Sequence, residues 1–260
     1  MVLRRVLPFC FLTVLILPRI SFGQSKDINQ PGAIYSNSIV SAHELSIPGK
    51  ARNALDRGVQ RLKVKDWAGS VTQFQRAIES FPAFYEAYDM LGAAELAMQR
   101  WNDAEAAFRK SIELSHGSYA PPHFGLGLIL CISQKRYSDS EAVIREGLDV
   151  DPSNASGHFA LAWVLYVAAR FAEAEQSARE AVLYNPTFQE PYLLLGQIHC
   201  QQNNFAAEVD DLNRYLKLDS TSSRSERVRS ALAEAQRALS KENSGAIVLP
   251  LAKARAAGLR

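Results

Sequence analysis

Aromatic residues recur along this chain at nearly one spacing, and this spacing constrains the fold more than any other feature. Successive members of this aromatic series lie 34, 36, 34 and 34 residues apart: Trp67, Trp101, Tyr137, Phe171 and Phe205. A second series with nearly the same period is Phe74, Phe108, Ile144, Ala178 and Leu212. A third series, which we call the small-residue series, is Gly58, Gly92, Gly127, Ala162 and Gly196. A fixed period of about 20–50 residues is typical of stacked supersecondary units.

Each period contains two helical patterns. In the first one, apolar residues recur at three- and four-residue spacing from Ala54 to Leu62 and again from Trp67 to Ile78, and Pro82 ends the second run. A small residue on the first helix lets the second helix approach closely. We expect the aromatic residue at the start of each second helix to fill the wedge between the helices and to dominate local burial.

These units resemble tetratricopeptide repeats, a family of helix–turn–helix pairs of about 34 residues that stack into a superhelix. The match is best where Leu91-Gly92, Leu161-Ala162 and Leu195-Gly196 stand at the expected helix crossing. The resemblance implies an all-α fold, an α-solenoid of five stacked repeats with a C-terminal capping helix. The repeat domain covers residues 51–220, with units 51–84, 85–118, 120–154, 155–188 and 189–222.

The first 23 residues have the pattern of a secretory signal peptide. Arg4 and Arg5 precede an apolar run of about twelve residues, and Ser21-Phe22-Gly23 provides a small-x-small cleavage site. The run is shorter than the roughly 20 residues needed to cross a bilayer, so an uncleaved anchor is the less favoured alternative. We expect an exported protein, periplasmic or secreted, with no stable membrane span after cleavage.

Three further segments flank the repeats. Residues 24–50 are polar and contain the breakers Pro31-Gly32 and Pro48-Gly49, which indicates a linker. Residues 224–240 form an amphipathic pattern that predicts the capping helix. Its expected apolar stripe is Val228, Leu232, Ala235 and Leu239. Residues 241–260 are expected to be a flexible tail.

Composition and motifs give no support for catalysis or nucleic-acid binding. The net charge is +2, and it becomes −1 without the three arginines of the first 23 residues, with no basic block. We find no phosphate-binding loop, paired-cysteine metal motif or nucleophile elbow, and we expect no enzyme activity, cofactor or metal. His123 and His158 occupy equivalent repeat positions, which favours packing over a metal site. Asn154 fits a helix cap better than a glycosylation acceptor.

The resemblance also implies a binding surface. In this family the first helix of each pair lines a concave groove, and transferring its positions to this chain predicts the partner-binding residues. They are Met90, Phe124, Leu128, Phe159, Trp163, Tyr166, Leu193 and Gln197. We expect Phe124, Phe159, Trp163 and Tyr166 to provide the main contacts. Two interpretations stay open: an exposed patch that binds a peptide, or side chains that pack against one another or against the tail.

The function implied is therefore a non-enzymatic protein–protein interaction module. We expect an exported scaffold or assembly factor that binds a partner protein or peptide in an apolar concave groove. The alternative is a carrier of a lipid-like or small hydrophobic ligand in the same groove.

Overall fold

The computed structural model describes residues 42–256, and the side chains of residues 43–244. This part of the chain contains helices and no strands, which confirms the predicted all-α, helical-repeat fold. The helices are α1 (Ala42–Ser46), α2 (Gly49–Lys63), α3 (Trp67–Ser80), α4 (Tyr85–Ala97), α5 (Trp101–Leu114), α6 (Pro121–Gln134), α7 (Tyr137–Val150), α8 (Ala155–Val167), α9 (Phe171–Tyr184), α10 (Gln189–Gln201), α11 (Phe205–Leu218) and α12 (Ser223–Ala256). The predicted signal peptide and most of the predicted linker lie outside the described residues.

The described residues form two compact units, 42–168 and 169–256, which we call the N-terminal unit and the C-terminal unit. In the N-terminal unit each helix from α2 to α8 packs against the next one, and the alternate helices α2, α4, α6 and α8 also contact one another in turn. In the C-terminal unit α9 packs on α10, α10 on α11, and α11 on α12. We call α2, α4, α6, α8 and α10 the first helices, and α3, α5, α7, α9 and α11 the second helices.

Every second helix begins at a member of the aromatic series, and the turn before it has one backbone geometry throughout. Two residues before each of these helices, a residue other than glycine adopts a positive φ: Lys65 (62°), Gln99 (59°), Lys135 (54°), Ala169 (59°) and Asn203 (56°). This left-handed conformation is disfavoured for side chains with a Cβ atom. Its recurrence at five equivalent positions shows that the turn is part of the repeat.

The small-residue series and the second series meet at the helix crossings. A Cβ atom built on Gly92 would lie 2.8 Å from the ring of Phe108, and one on Gly196 would lie 2.9 Å from Leu212. Phe108 is fully buried and Leu212 is 1% exposed. The expectation that a small residue permits the close approach of the second helix is confirmed at both crossings.

The aromatic series itself plays a smaller part in the core than predicted. All five members are only half-buried. Four members of the second series, Phe74, Phe108, Ile144 and Leu212, are instead among the fully buried large side chains of the described residues. The expectation that the helix-initiating aromatic residue dominates local burial is wrong, because that residue lies at the end of the helix, whereas the second series lies about two turns further on, at the crossing.

The ends of the described chain are more helical than the sequence suggested. Pro48, which we interpreted as a breaker, is the N-cap of α2, and α1 precedes it. At the other end, Val228 and Ala235 are buried and Leu232 and Leu239 half-buried on α12, which packs on α11 as the capping helix should. However, α12 continues to Ala256, past the predicted end at residue 240. Lys241, Glu242 and Asn243 are compatible with a helix, so no stop signal lies where the tail was expected to begin.

Candidate functional site

The first helices of the N-terminal unit lie side by side, so they can present one continuous face. Helix α6 contacts α4 on one side and α8 on the other. Met90 lies on α4, Phe124 and Leu128 on α6, and Phe159, Trp163 and Tyr166 on α8. The remaining predicted residues, Leu193 and Gln197, lie on α10 of the C-terminal unit.

Most of the predicted groove residues are buried. The exposed fraction is 6% for Phe124, 2% for Leu128, 3% for Phe159 and 1% for Leu193. Gln197 is also buried, with 7% exposed. In this structure their side chains belong to the core, which agrees with the self-packing interpretation at these positions.

The surroundings of the Phe124 ring explain why this side chain is buried. Cβ atoms placed on Gly147 of α7 and on Gly157 of α8 would lie 2.6 Å and 2.5 Å from this ring. Two glycines on neighbouring helices therefore form the slot that holds it. The expectation that Phe124 and Phe159 provide main partner contacts is not compatible with this degree of burial.

Three predicted residues of the N-terminal unit keep access to solvent: Met90, Trp163 and Tyr166 are half-buried. The rings of Trp163 and Tyr166 are neighbours on α8, with centroids 6.1 Å apart and planes tilted by 31°. The indole Nε1 of Trp163 is buried and has no hydrogen-bond partner among the described residues. Aromatic side chains of this kind are common anchors in protein interfaces.

A second feature of the N-terminal unit, which we call the tyrosine–carboxylate cluster, consists of Tyr85, Glu86, Asp89 and Tyr119. The first three lie on α4, and Tyr119 lies just before α6. The Tyr85 and Tyr119 ring centroids are 5.2 Å apart, and the Tyr119 hydroxyl donates to Asp89 Oδ2 over 3.4 Å. None of the four is among the groove residues predicted from the sequence, and Tyr119 lies between the predicted units 85–118 and 120–154.

Burial perturbs the acid–base properties of this cluster. Burial raises the pKa of Asp89 to about 7, and the negative charge of Glu86 adds to the rise. The hydrogen bond from Tyr119 acts in the opposite direction and lowers this pKa. Burial also raises the pKa of Tyr85 to about 12, again with Glu86 contributing. The pKa of Tyr119 is well above its usual value for the same reasons.

The C-terminal unit contains a polar cluster around His199, which is 3% exposed. Its Nδ1 lies 2.7 Å from Asp211 Oδ2, and its Nε2 lies 3.3 Å from Glu175 Oε1. Burial raises the pKa of Asp211, while His199 opposes the rise. Burial also raises the pKa of the nearby Glu208 to about 7, with Glu234 contributing. The cluster joins α9, α10 and α11 and has the geometry of a structural polar core.

The two histidines at equivalent repeat positions make equivalent local contacts. His123 Nδ1 lies 3.2 Å from the carbonyl oxygen of Tyr119, and His158 Nε2 lies 2.8 Å from that of Pro152. Both contacts reach back to the loop before the histidine's own helix, as a packing role requires. In the part of the chain that the structure describes, no group of three or more His, Cys, Asp or Glu residues is placed to hold a metal ion.

Two other features of the chain bear on the site. The Asn154 side chain accepts a hydrogen bond of 3.0 Å from the Gly157 backbone N–H, so its predicted role as a cap is confirmed. Within residues 42–256, no helix combines the length and the apolar character needed to cross a bilayer.

The sequence profile described as tetratricopeptide repeat matches residues 55–119, 132–190 and 168–223. The chain belongs to the tetratricopeptide repeat family. The resemblance inferred from the periodic residues is thus confirmed. Among curated proteins none matches this chain.

Solved structures share the fold of this chain at low sequence identity. A thermophilic TPR protein of Thermus thermophilus is 18% identical with a TM-score of 0.64, over 70% of this chain and 99% of its own. PilW, a widely conserved type IV pilus biogenesis factor, is 15% identical with a TM-score of 0.62, over 78% of this chain and 95% of its own. In the APC/C hetero-tetramer Cut9–Hcn1 the match is 17% identical with a TM-score of 0.65, over 72% of this chain and 36% of that chain. At these identities the comparisons show the fold.

Proposed function

We propose that this protein is an exported, non-enzymatic scaffold or assembly factor that binds a partner polypeptide on the face formed by the first helices of its N-terminal unit. The observation that carries the proposal is the pair of half-buried aromatic rings, Trp163 and Tyr166, on α8 of the N-terminal unit. Large, rigid aromatic side chains contribute much of the binding free energy in protein interfaces. Met90 on α4 is a further half-buried, flexible apolar side chain on a first helix of the same unit.

The proposed contact surface differs from the groove predicted from the sequence. It keeps Met90, Trp163 and Tyr166, whose side chains reach solvent. It omits Phe124, Leu128 and Phe159, which are buried in the core. Leu193 and Gln197 of the C-terminal unit stay predictions, with access limited by their burial.

A partner-binding role suits tetratricopeptide repeats, which typically mediate contacts between proteins. PilW shows that the same fold occurs in a factor for type IV pilus biogenesis. Export rests on the signal-peptide pattern of residues 1–23 and is tested by the mass of the mature protein, which should begin at Gln24. The carrier alternative gains no support, because the apolar side chains that would contact a lipid-like ligand are buried.

The experiment compares the double variant Trp163→Ala/Tyr166→Ala with the wild type in pull-downs from the native envelope fraction. A matched control is Leu183→Ala/Tyr184→Ala, which removes apolar side chains that are 72% and 46% exposed on the second helix α9. We expect the first variant to lose the co-purifying partner and the control to keep it, with circular dichroism showing equal helix content. Retention of every partner by the first variant would refute the proposed face.

A further inference from the structure

The tyrosine–carboxylate cluster already holds a side chain of the protein's own N-terminal segment. The imidazole of His43, on α1, stacks on Tyr85 with centroids 4.2 Å apart and planes only 17° from parallel. Its Nε2 lies 3.0 Å from Glu86 Oε2. A planar group that can carry positive charge is thus seated between an aromatic face and a carboxylate.

Asp89 lies one turn after Glu86 on α4 and is the buried end of the cluster. It is fully buried, and its Oδ1 has no hydrogen-bond partner among the described residues. Its other oxygen accepts only the long 3.4 Å hydrogen bond from Tyr119. A buried carboxyl group with so few partners destabilises a fold, so packing alone gives no reason for it.

We propose that Tyr85, Glu86, Asp89 and Tyr119 form a receptor site for an arginine side chain of a partner polypeptide, and that His43 occupies this site in the free protein. The proposal deepens the proposed function and rests on it. A guanidinium group is planar, as imidazole is, so it can stack on Tyr85 while its N–H groups donate to Glu86. Its remaining donors can supply the partner that Asp89 Oδ1 lacks.

The segment that carries His43 is suited to leave the site. Helix α1 has five residues, and its Leu45 is 72% exposed. Ile47, after α1, is 8% exposed and packs in the core cluster that includes Ala51 and Phe84. This anchor can stay in place while the residues before it move away, so displacement of His43 requires no unfolding of a repeat.

A first experiment tests the chemistry of the site within the full chain. In the variant His43→Arg, the arginine should occupy the site permanently, so the melting temperature should exceed that of His43→Ala. The difference should disappear when Glu86→Gln is added to both variants, and His43→Gln serves as the uncharged control. Equal melting temperatures for all three His43 variants would overturn the assignment of a site for a cationic group.

A second experiment tests access from outside, with fluorescein-labelled peptides Gly-Ser-Arg-Ser-Gly and Gly-Ser-Glu-Ser-Gly as probes in anisotropy titrations. We expect full-length His43→Ala to bind the arginine peptide about tenfold more tightly than the wild type, and the glutamate peptide not at all. Adding Glu86→Gln should remove the gain, whereas Glu113→Gln, at an exposed carboxylate of α5, should not. A lysine version of the peptide should bind more weakly because it lacks the planar fork.

The outcomes separate this proposal from the proposed function. Equal binding of the arginine peptide by wild type and His43→Ala would overturn the role of His43, and an unchanged affinity in the Glu86→Gln background would overturn the receptor site. Glu86→Gln is nearly isosteric at a half-buried position, and melting curves report whether it folds. Loss of partner capture in Trp163→Ala/Tyr166→Ala, with no effect of Glu86→Gln on any peptide, would leave the interaction role standing and reject the arginine site.

Discussion

Gly92 on α4 and Phe108 on α5 lie so close that a Cβ atom on the glycine would come within 2.8 Å of the phenylalanine ring. Real Cβ atoms essentially never approach other heavy atoms so closely, and Phe108 is fully buried in a close-packed interior. The same pairing of a glycine with a bulky side chain recurs at Gly58 with Phe74, Gly127 with Ile144 and Gly196 with Leu212. In the fourth period both series carry alanine, Ala162 and Ala178. At the four glycine crossings, the contact between the two periodic series fixes how closely the paired helices approach.

Replacing Gly92 tests whether α4 and α5 must approach this closely for the fold to be stable. We expect Gly92→Ala to lower the free energy of unfolding by about 1–3 kcal/mol, because overpacking outweighs the gain in helix propensity. Gly49→Ala is the matched control, since a Cβ at Gly49 meets no atom within 4 Å. That control should be neutral or stabilising in urea-denaturation curves. An unchanged midpoint for Gly92→Ala would show that the helices can separate without cost.

Asp89 makes stability depend on pH in a defined direction. Burial raises its pKa from 3.8 to about 7, so the folded protein holds this proton more tightly than the unfolded chain does. Its contribution to stability is therefore complete below about pH 4 and is lost as the pH rises towards 7.

The variant Asp89→Asn removes this titration. We expect its melting temperature to exceed that of the wild type at pH 8, by about 2–4 °C for each kcal/mol recovered, and the advantage to shrink at pH 4. Glu208→Gln provides a parallel case in the C-terminal unit, since the pKa of Glu208 is also raised to about 7. A wild-type advantage that grows from pH 4 to pH 8 would contradict the assignment.

The turn before α9 offers a stabilising substitution. Ala169 adopts a φ of 59° without a side chain able to hydrogen-bond locally. Ala169→Gly should raise the free energy of unfolding by up to about 1 kcal/mol, because glycine adopts this conformation freely. Ala168→Gly, at the neighbouring residue with a φ of −78°, should give no such gain. Thermal denaturation of the two variants decides between a strained turn and an unstrained one.

The polar cluster around His199 should behave as one unit. The short contact joins the buried His199 to the half-buried Asp211, so each single alanine variant removes this contact from the other side chain. We expect each to cost about 1–3 kcal/mol and the double variant to cost less than the sum. Additive effects in this double-mutant cycle would show that the two groups do not depend on each other.

The all-α repeat fold could be predicted from the sequence because it depends on local periodicity, whereas helix α1 and the continuation of α12 past residue 240 could not. The start of every second helix at an aromatic residue and the small-to-large contact at the crossings follow from that period. The exposure of the groove could not be predicted in this way. Whether Phe124 faces a partner or the core depends on Gly147 and Gly157, which lie on two other helices.

The tyrosine–carboxylate cluster was missed for a related reason. Tyr119 lies where the third repeat departs from the period, so its position relative to Asp89 is not a property of the repeat. His43 belongs to a segment with no helical period, which we interpreted as a linker. Contacts of this kind depend on three-dimensional packing between segments that the sequence pattern treats separately.

Photo-crosslinking tests the central claim most directly. With benzoylphenylalanine incorporated in place of Tyr166, irradiation in the native host should join the protein to a partner polypeptide. The same probe in place of Leu183, exposed on a second helix, should give no such product. A partner adduct at Tyr166 alone is the result that we predict, whereas equal adducts at both positions, or none at Tyr166, would contradict a binding face on the first helices.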